Sequence, residues 1–144
     1  MSDIQMAVTA LNEKYHTRNP FLLCDHLDIL RITCPLPLQI RGFFQTYDGV
    51  RIIYLNSALS RVQQALTCAH ELGHAVLHGE KRGLFVRPES RTMTGQLEYE
   101  AELFAHYLLL GDDFSPQELA RMEAEKEPLS ALISAMENLQ RLIG

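Results

Sequence analysis

Residues 60–78 constrain this chain more than any other segment. Val62, Ala65, Leu66, Ala69, Leu72, Gly73, Val76 and Leu77 recur at helical spacing and form a continuous apolar stripe, and Gly79 stands where a helix commonly ends. A helix of this length has to bury its stripe, so the rest of the chain is expected to pack around it. The helix also carries His70-Glu71-Leu72-Gly73-His74, a His-Glu-x-x-His pattern. Two histidines four residues apart lie about one turn, roughly 6 Å, from each other on one face, close enough for both imidazoles to bind a single ion. Glu71 sits about 100° around the helix from His70, beside such an ion but not aimed at it, which suits a carboxylate that takes a proton from water.

Neutral imidazoles with a carboxylate suit zinc, and three protein ligands leave a fourth position for water. Zinc would lower the pKa of that water toward about 7 and polarise a scissile carbonyl, so peptide-bond hydrolysis is the expected reaction. Six histidines in 144 residues give roughly 0.02 such motifs by chance, which outweighs the reading of His70 and His74 as ordinary helix histidines.

The third ligand is expected downstream, in Glu98-Tyr99-Glu100-Ala101-Glu102. At i and i+4, Glu98 and Glu102 share a helix face while Glu100 points elsewhere. Glu98 is assigned as the ligand. Glu102, one turn on, is assigned to accept the free ring N–H of a ligating histidine and hold its orientation. His78 extends the motif, but its backbone lies about 12 Å from that of His70 along the helix, so a role at the helix end or lining the cleft is expected rather than ligation. His106 reads as a satisfied, partly buried histidine. His16 and His26 have no metal-ligand spacing, and Cys68 faces away from His70 toward the core.

Around this centre the chain reads as one soluble domain. Residues 1–28 are expected to hold two helices, the first from Asp3 to Tyr15 with Ser2 or Asp3 as cap, the second opened by Asn19-Pro20 and running to about Leu27. Residues 29–56 read as a small, largely antiparallel sheet with strands over Ile29–Cys34, Leu38–Thr46 and Val50–Leu55, and with Asp48-Gly49 as a hairpin turn. Residues 60–111 hold the two metal-binding helices, the second from about Gln96 to Leu110 with Gly111 at its end. The intervening stretch to Gly95 reads as a loop bearing Lys81, Arg82, Arg87 and Arg91, and residues 115–144 as two helices, the first opened by the Ser115-Pro116-Gln117-Glu118 capping box.

Composition excludes several classes. Thirteen Lys and Arg against 18 Asp and Glu give a net charge of -5, which removes the attraction to phosphate on which nucleic-acid binders rely. No segment reads as a signal peptide or a membrane span. Cys24, Cys34 and Cys68 are an odd set without Cys-x-x-Cys spacing, as expected of reduced thiols in a cytoplasmic protein.

The segments Tyr54-Leu55-Asn56, LTCAHELGHAVLHG over Leu66–Gly79 and EYEAELFAHYLL from Glu98 together resemble the ImmA/IrrE-type metallopeptidases of bacteria and their mobile elements. The resemblance spans roughly residues 50–111. It implies an α+β, zincin-like metallopeptidase domain, mostly helical, with a small antiparallel-rich sheet beside the active-site helix. It also implies His70, His74 and Glu98 as zinc ligands and Glu71 as catalytic base. Two positions depart from the family pattern: Glu102 stands where Asn or Asp is common, and His106 where Ala is usual. The implied substrate is a specific regulatory protein, a DNA-binding helix-turn-helix repressor of a phage, mobile element or stress regulon. The alternative is a non-catalytic antirepressor that binds its partner through the same scaffold. An intact Glu71 weighs against it, because binding alone does not need that carboxylate. A hydrolase of small molecules is a third reading, which requires an enclosed pocket rather than an open groove.

Overall fold

The structure, a computed structural model, describes residues 2–78 and 95–111. In chain order these form α1 (Asp3–Tyr15), α2 (Pro20–His26), β1 (Leu30–Cys34), β2 (Gly42–Tyr47), β3 (Val50–Asn56), α3 (Arg61–His78) and α4 (Gly95–Leu110). The expected loop before Gly95 and the two helices of residues 115–144 lie outside the described residues, as does Gly79.

The helix starts follow from local chemistry. The Ser2 hydroxyl accepts from the Gln5 N–H at 3.1 Å and opens α1, and Asn19 Oδ1 accepts from the Phe21 N–H at 2.9 Å in front of Pro20. At α3 the box is reciprocal: Ser60 Oγ accepts from the Gln63 N–H and Gln63 Oε1 from the Ser60 N–H. The end of α4 is closed by Gly111, whose N–H donates to the Tyr107 carbonyl. Arg18, in the link between α1 and α2, donates to the Tyr107 and Leu108 carbonyls, which ties the N-terminal helices to the last turn of α4.

The sheet differs from the sequence expectation. Its order is β1-β3-β2, and while β2 and β3 are antiparallel, β1 and β3 run parallel, so the sheet is mixed rather than largely antiparallel. Asp48 and Gly49, both at positive φ, make the expected tight hairpin between Tyr47 and Val50. The link from β1 to β2 is too long for a tight turn. It carries Pro35 and Pro37 across the end of the sheet, so β2 lands on the far edge and the hairpin returns β3 to the middle.

Buried Asn56 fastens this crossing. Its Nδ2 lies within hydrogen-bond distance of the Leu36, Pro37 and Ile40 carbonyls, and its Oδ1 accepts from the Ala58 N–H. This is also why β2 starts at Gly42 and not at Leu38: residues 35–41 belong to the crossing, and Leu38 is 90% exposed.

The core lies between the sheet and the helices. Phe44, Ile53 and Leu55 from the sheet meet Ala65, Cys68, Ala69 and Leu72 of α3, Leu23 and Cys24 of α2, and Phe104 and Leu108 of α4. The Cys24 and Cys68 thiols are free and buried, with sulfurs 3.7 Å apart. Their mutual hydrogen bond and burial push the Cys68 thiol well above its usual range. No described helix is long and apolar enough to cross a membrane.

Candidate metal centre

The contact of α3 with α4 positions the chemistry, and Gly73 permits it. A Cβ built there would stand 3.1 Å from Phe104 Cβ and 3.2 Å from Ala101 Cα, so any larger residue would require its neighbours on α4 to give by a few tenths of an ångström. Gly73 lies between His70 and His74, and Ala101 between Glu98 and Glu102. This tight contact therefore falls beside the four polar side chains.

These side chains meet. Glu98 bridges the two histidines, with His70 Nε2 to Oε2 at 3.1 Å and His74 Nε2 to Oε1 at 2.9 Å. The two imidazoles are 4.9 Å apart between ring centroids and nearly perpendicular. One potential ligand atom from each of His70, His74 and Glu98 lies within 4.8 Å of the others. Glu102 Oε1 stands 2.5 Å from His70 Nδ1, on the side of the ring away from Glu98.

Glu71 is buried, at 3% exposure, and near enough for its charge to act on His70. His106 is turned aside, its Nδ1–H donating to the Glu102 carbonyl one turn back, and His26 stacks on Tyr15.

The local field favours positive charge. Burial alone would disfavour an imidazolium at His70, but hydrogen bonds to Glu102 and Glu98 and the charge of Glu71 outweigh it and push the pKa up to about 10. Burial likewise opposes the Glu98 carboxylate, yet hydrogen bonds from His70 and His74 hold it down to about 2. Glu102 is lowered against its burial by its bond to His70. Two imidazole nitrogens and a carboxylate oxygen converging in such a field fit a divalent cation, and the borderline-soft donor set suits zinc.

Residues 24–137 match the model of a peptidase family described as the IrrE N-terminal-like domain. The chain belongs to this family. Among proteins similar to this family member is the uncharacterized immunity region protein 2 of Bacillus phage phi105, 36% identical over 109 residues that cover 76% of this chain and 69% of that protein. Another is metallopeptidase ImmA of Bacillus subtilis strain 168, 29% identical over 131 residues that cover 89% of this chain and 76% of that protein. This IrrE-like domain also contains an arrangement that sequence reasoning missed. His78 is buried against His74, with the two Nδ1 atoms 3.1 Å apart, and its Nε2 is 2.8 Å from Glu100 Oε1. The i, i+4 spacing from His74 is the available signal: it places His78 at the helix end on the same face but does not reveal the Glu100 contact.

Proposed function

We propose that the chain is a zinc-dependent endopeptidase of narrow specificity, with a DNA-binding helix-turn-helix repressor as substrate. The observation that carries the reading is the buried carboxylate of Glu71 next to a convergent His70, His74 and Glu98 set. Membership of a peptidase family supports it. The partner class is supported by the resemblance set out above and by a relative whose name places it in a phage immunity region. The protein acts in the cytoplasm and without direct contact to nucleic acid, consistent with its net charge of -5. A basic repressor would be attracted to an acidic surface of this kind.

In this reading His70, His74 and Glu98 hold the ion, and Glu102 fixes the His70 ring from behind. Zinc, when bound, supplies Lewis acidity that polarises the scissile carbonyl and acidifies the attacking water. Glu71 removes one proton from that water as its oxygen bonds to the carbonyl carbon. The same proton then passes from Glu71 to the amide nitrogen as the C–N bond breaks, leaving a carboxyl group and a free amine.

The test is co-expression with a candidate helix-turn-helix repressor, using wild type and Glu71→Gln. Cleavage fragments are expected from wild type, with a rate about 10²- to 10⁴-fold lower for the variant. Equal loss of partner function with both proteins, and fragments with neither, would replace the peptidase by a binding antirepressor.

A further inference from the structure

The histidines of α3 form a longer series than a metal site needs. His70, His74 and His78 occupy successive turns, and each meets a carboxylate of α4: His70 meets Glu98 and Glu102, His74 meets Glu98, and His78 meets Glu100. His78 is 2% exposed, and Glu100 reaches it from the partly exposed rim of the helix contact. Glu100 is steadied in turn by Gln96, whose Nε2 donates to Oε2 at 3.1 Å.

From this arrangement we infer that His78 and Glu100 are positioning residues for His74, holding it in the tautomer that binds a metal through Nε2. The inference rests on the reading of His74 as a ligand.

The argument follows the protons. Two Nδ1 atoms 3.1 Å apart need one proton between them: with none the lone pairs repel, and with two the N–H groups clash. The Glu100 carboxylate only accepts, so the His78 Nε2 facing it carries a proton. With an ion on Nε2, His74 would keep its one proton on Nδ1, and the Nδ1 lone pair of His78 is the acceptor that faces it. Without an ion, Nε2 of His74 also carries a proton, given to Glu98, and a cation bound there would take that proton's place. A doubly protonated His78 would reverse the contact, put the proton of a neutral His74 on Nε2 and close that atom to a cation. The hydrogen-bond chain from Gln96 through Glu100 and His78 thus does for His74 what Glu102 does for His70. Each ligating ring is held from behind by a group on α4 or oriented by one, and such partners raise ligand basicity as well as fixing geometry.

The experiment measures zinc affinity by competition with a chromogenic chelator, together with the histidine ¹⁵N–¹H spectrum of the zinc-loaded protein. Wild type is expected to show His74 protonated at Nδ1 and His78 protonated at Nε2 only. His78→Leu should weaken zinc binding by about 10- to 100-fold. His78→Asn places an amide oxygen where Nδ1 stood and should recover most of that loss. Glu100→Gln keeps an acceptor but drops its charge and should show a smaller loss than His78→Leu.

Wild type that binds zinc with His78 protonated at Nδ1 would overturn the inference, and so would undiminished zinc affinity in His78→Leu. Equal losses in His78→Leu and His78→Asn would reduce His78 to a packing residue. Wild type that fails to bind zinc would instead remove the metallopeptidase reading on which the inference stands.

Discussion

Replacing Gly73 by Ala separates two opposing effects at the helix contact. Alanine is favoured over glycine inside a helix by about 0.8–1.0 kcal/mol. Against this, the new Cβ would meet Phe104 Cβ and Cδ1 at 3.1 Å and Ala101 Cα at 3.2 Å, where ordinary contact begins at 3.4 Å. The Phe104 ring can turn, but its Cβ and the Ala101 backbone cannot, so α3 and α4 must part by a few tenths of an ångström. Overpacking of this kind costs about 1–3 kcal/mol, which leaves a net loss of roughly 0–2 kcal/mol in the metal-free protein after the helix gain is subtracted. The site should suffer more than the fold. Ala101 lies between Glu98 and Glu102, so parting the helices draws both carboxylates away from His70 and His74. Ligand sets tolerate displacements of only about 0.5 Å, and zinc affinity is expected to fall by about tenfold or more. Urea denaturation of the chelated protein reads the first effect and chelator competition the second. A stability gain near the full helix increment, or zinc affinity equal to wild type, would refute the close-approach argument.

Three other perturbations probe separate parts of the structure. Glu102→Ala removes the group behind His70 and should weaken zinc by about 10- to 100-fold with little change in the folding of the chelated protein, as followed by competition and circular dichroism. Asn56→Ala removes the amide that reaches the Leu36, Pro37 and Ile40 carbonyls, of which Pro37 keeps the Ile40 N–H, and should cost about 2–4 kcal/mol in urea denaturation; a cost below about 0.5 kcal/mol would mean that the crossing holds itself together. Chelation should abolish cleavage and lower the melting temperature, and zinc at a hundred times its dissociation constant should restore about 2.7 kcal/mol; a melting curve indifferent to zinc would argue against a site in the folded core.

What could be foreseen in the fold was what short-range chemistry decides. The caps at Ser2 and Asn19, the Asp48-Gly49 hairpin and the glycine ending α4 each involve neighbours a few residues apart, and each stands where the sequence places it. The parallel pairing of β1 with β3 could not be foreseen in that way. Alternation and turn residues identify strands, but strand order depends on where residues 35–41 carry the chain, and that path is held by Asn56, some twenty residues beyond Leu36. The apolar character of Leu38 pointed to a strand, whereas the crossing leaves it in solvent.

The metal centre divides along the same line, because i, i+4 spacing places pairs on a face without saying what the face meets. It put His70 with His74 and Glu98 with Glu102, and the two pairs do face each other in the structure. It equally puts His78 on the face of His74, at the helix end, but does not say that a carboxylate of α4 meets it there. Glu100, two residues from Glu98, was turned away from the site on helical angle alone. Its partner sits a full turn beyond the motif, so it meets α3 from the other side of Glu98. The relevant unit is therefore the contact between two helices, on which three histidines are set against three carboxylates, with Glu71 buried beside them. Neutral imidazoles leave such a contact strongly anionic, and carboxylates crowded on a partly buried helix contact favour positive charge beside them, from protons or from a cation. The push on His70 up to about 10 and on Glu98 down to about 2 points the same way. A divalent ion would supply two charges at one point and would leave the imidazoles neutral, the form in which imidazoles bind a metal.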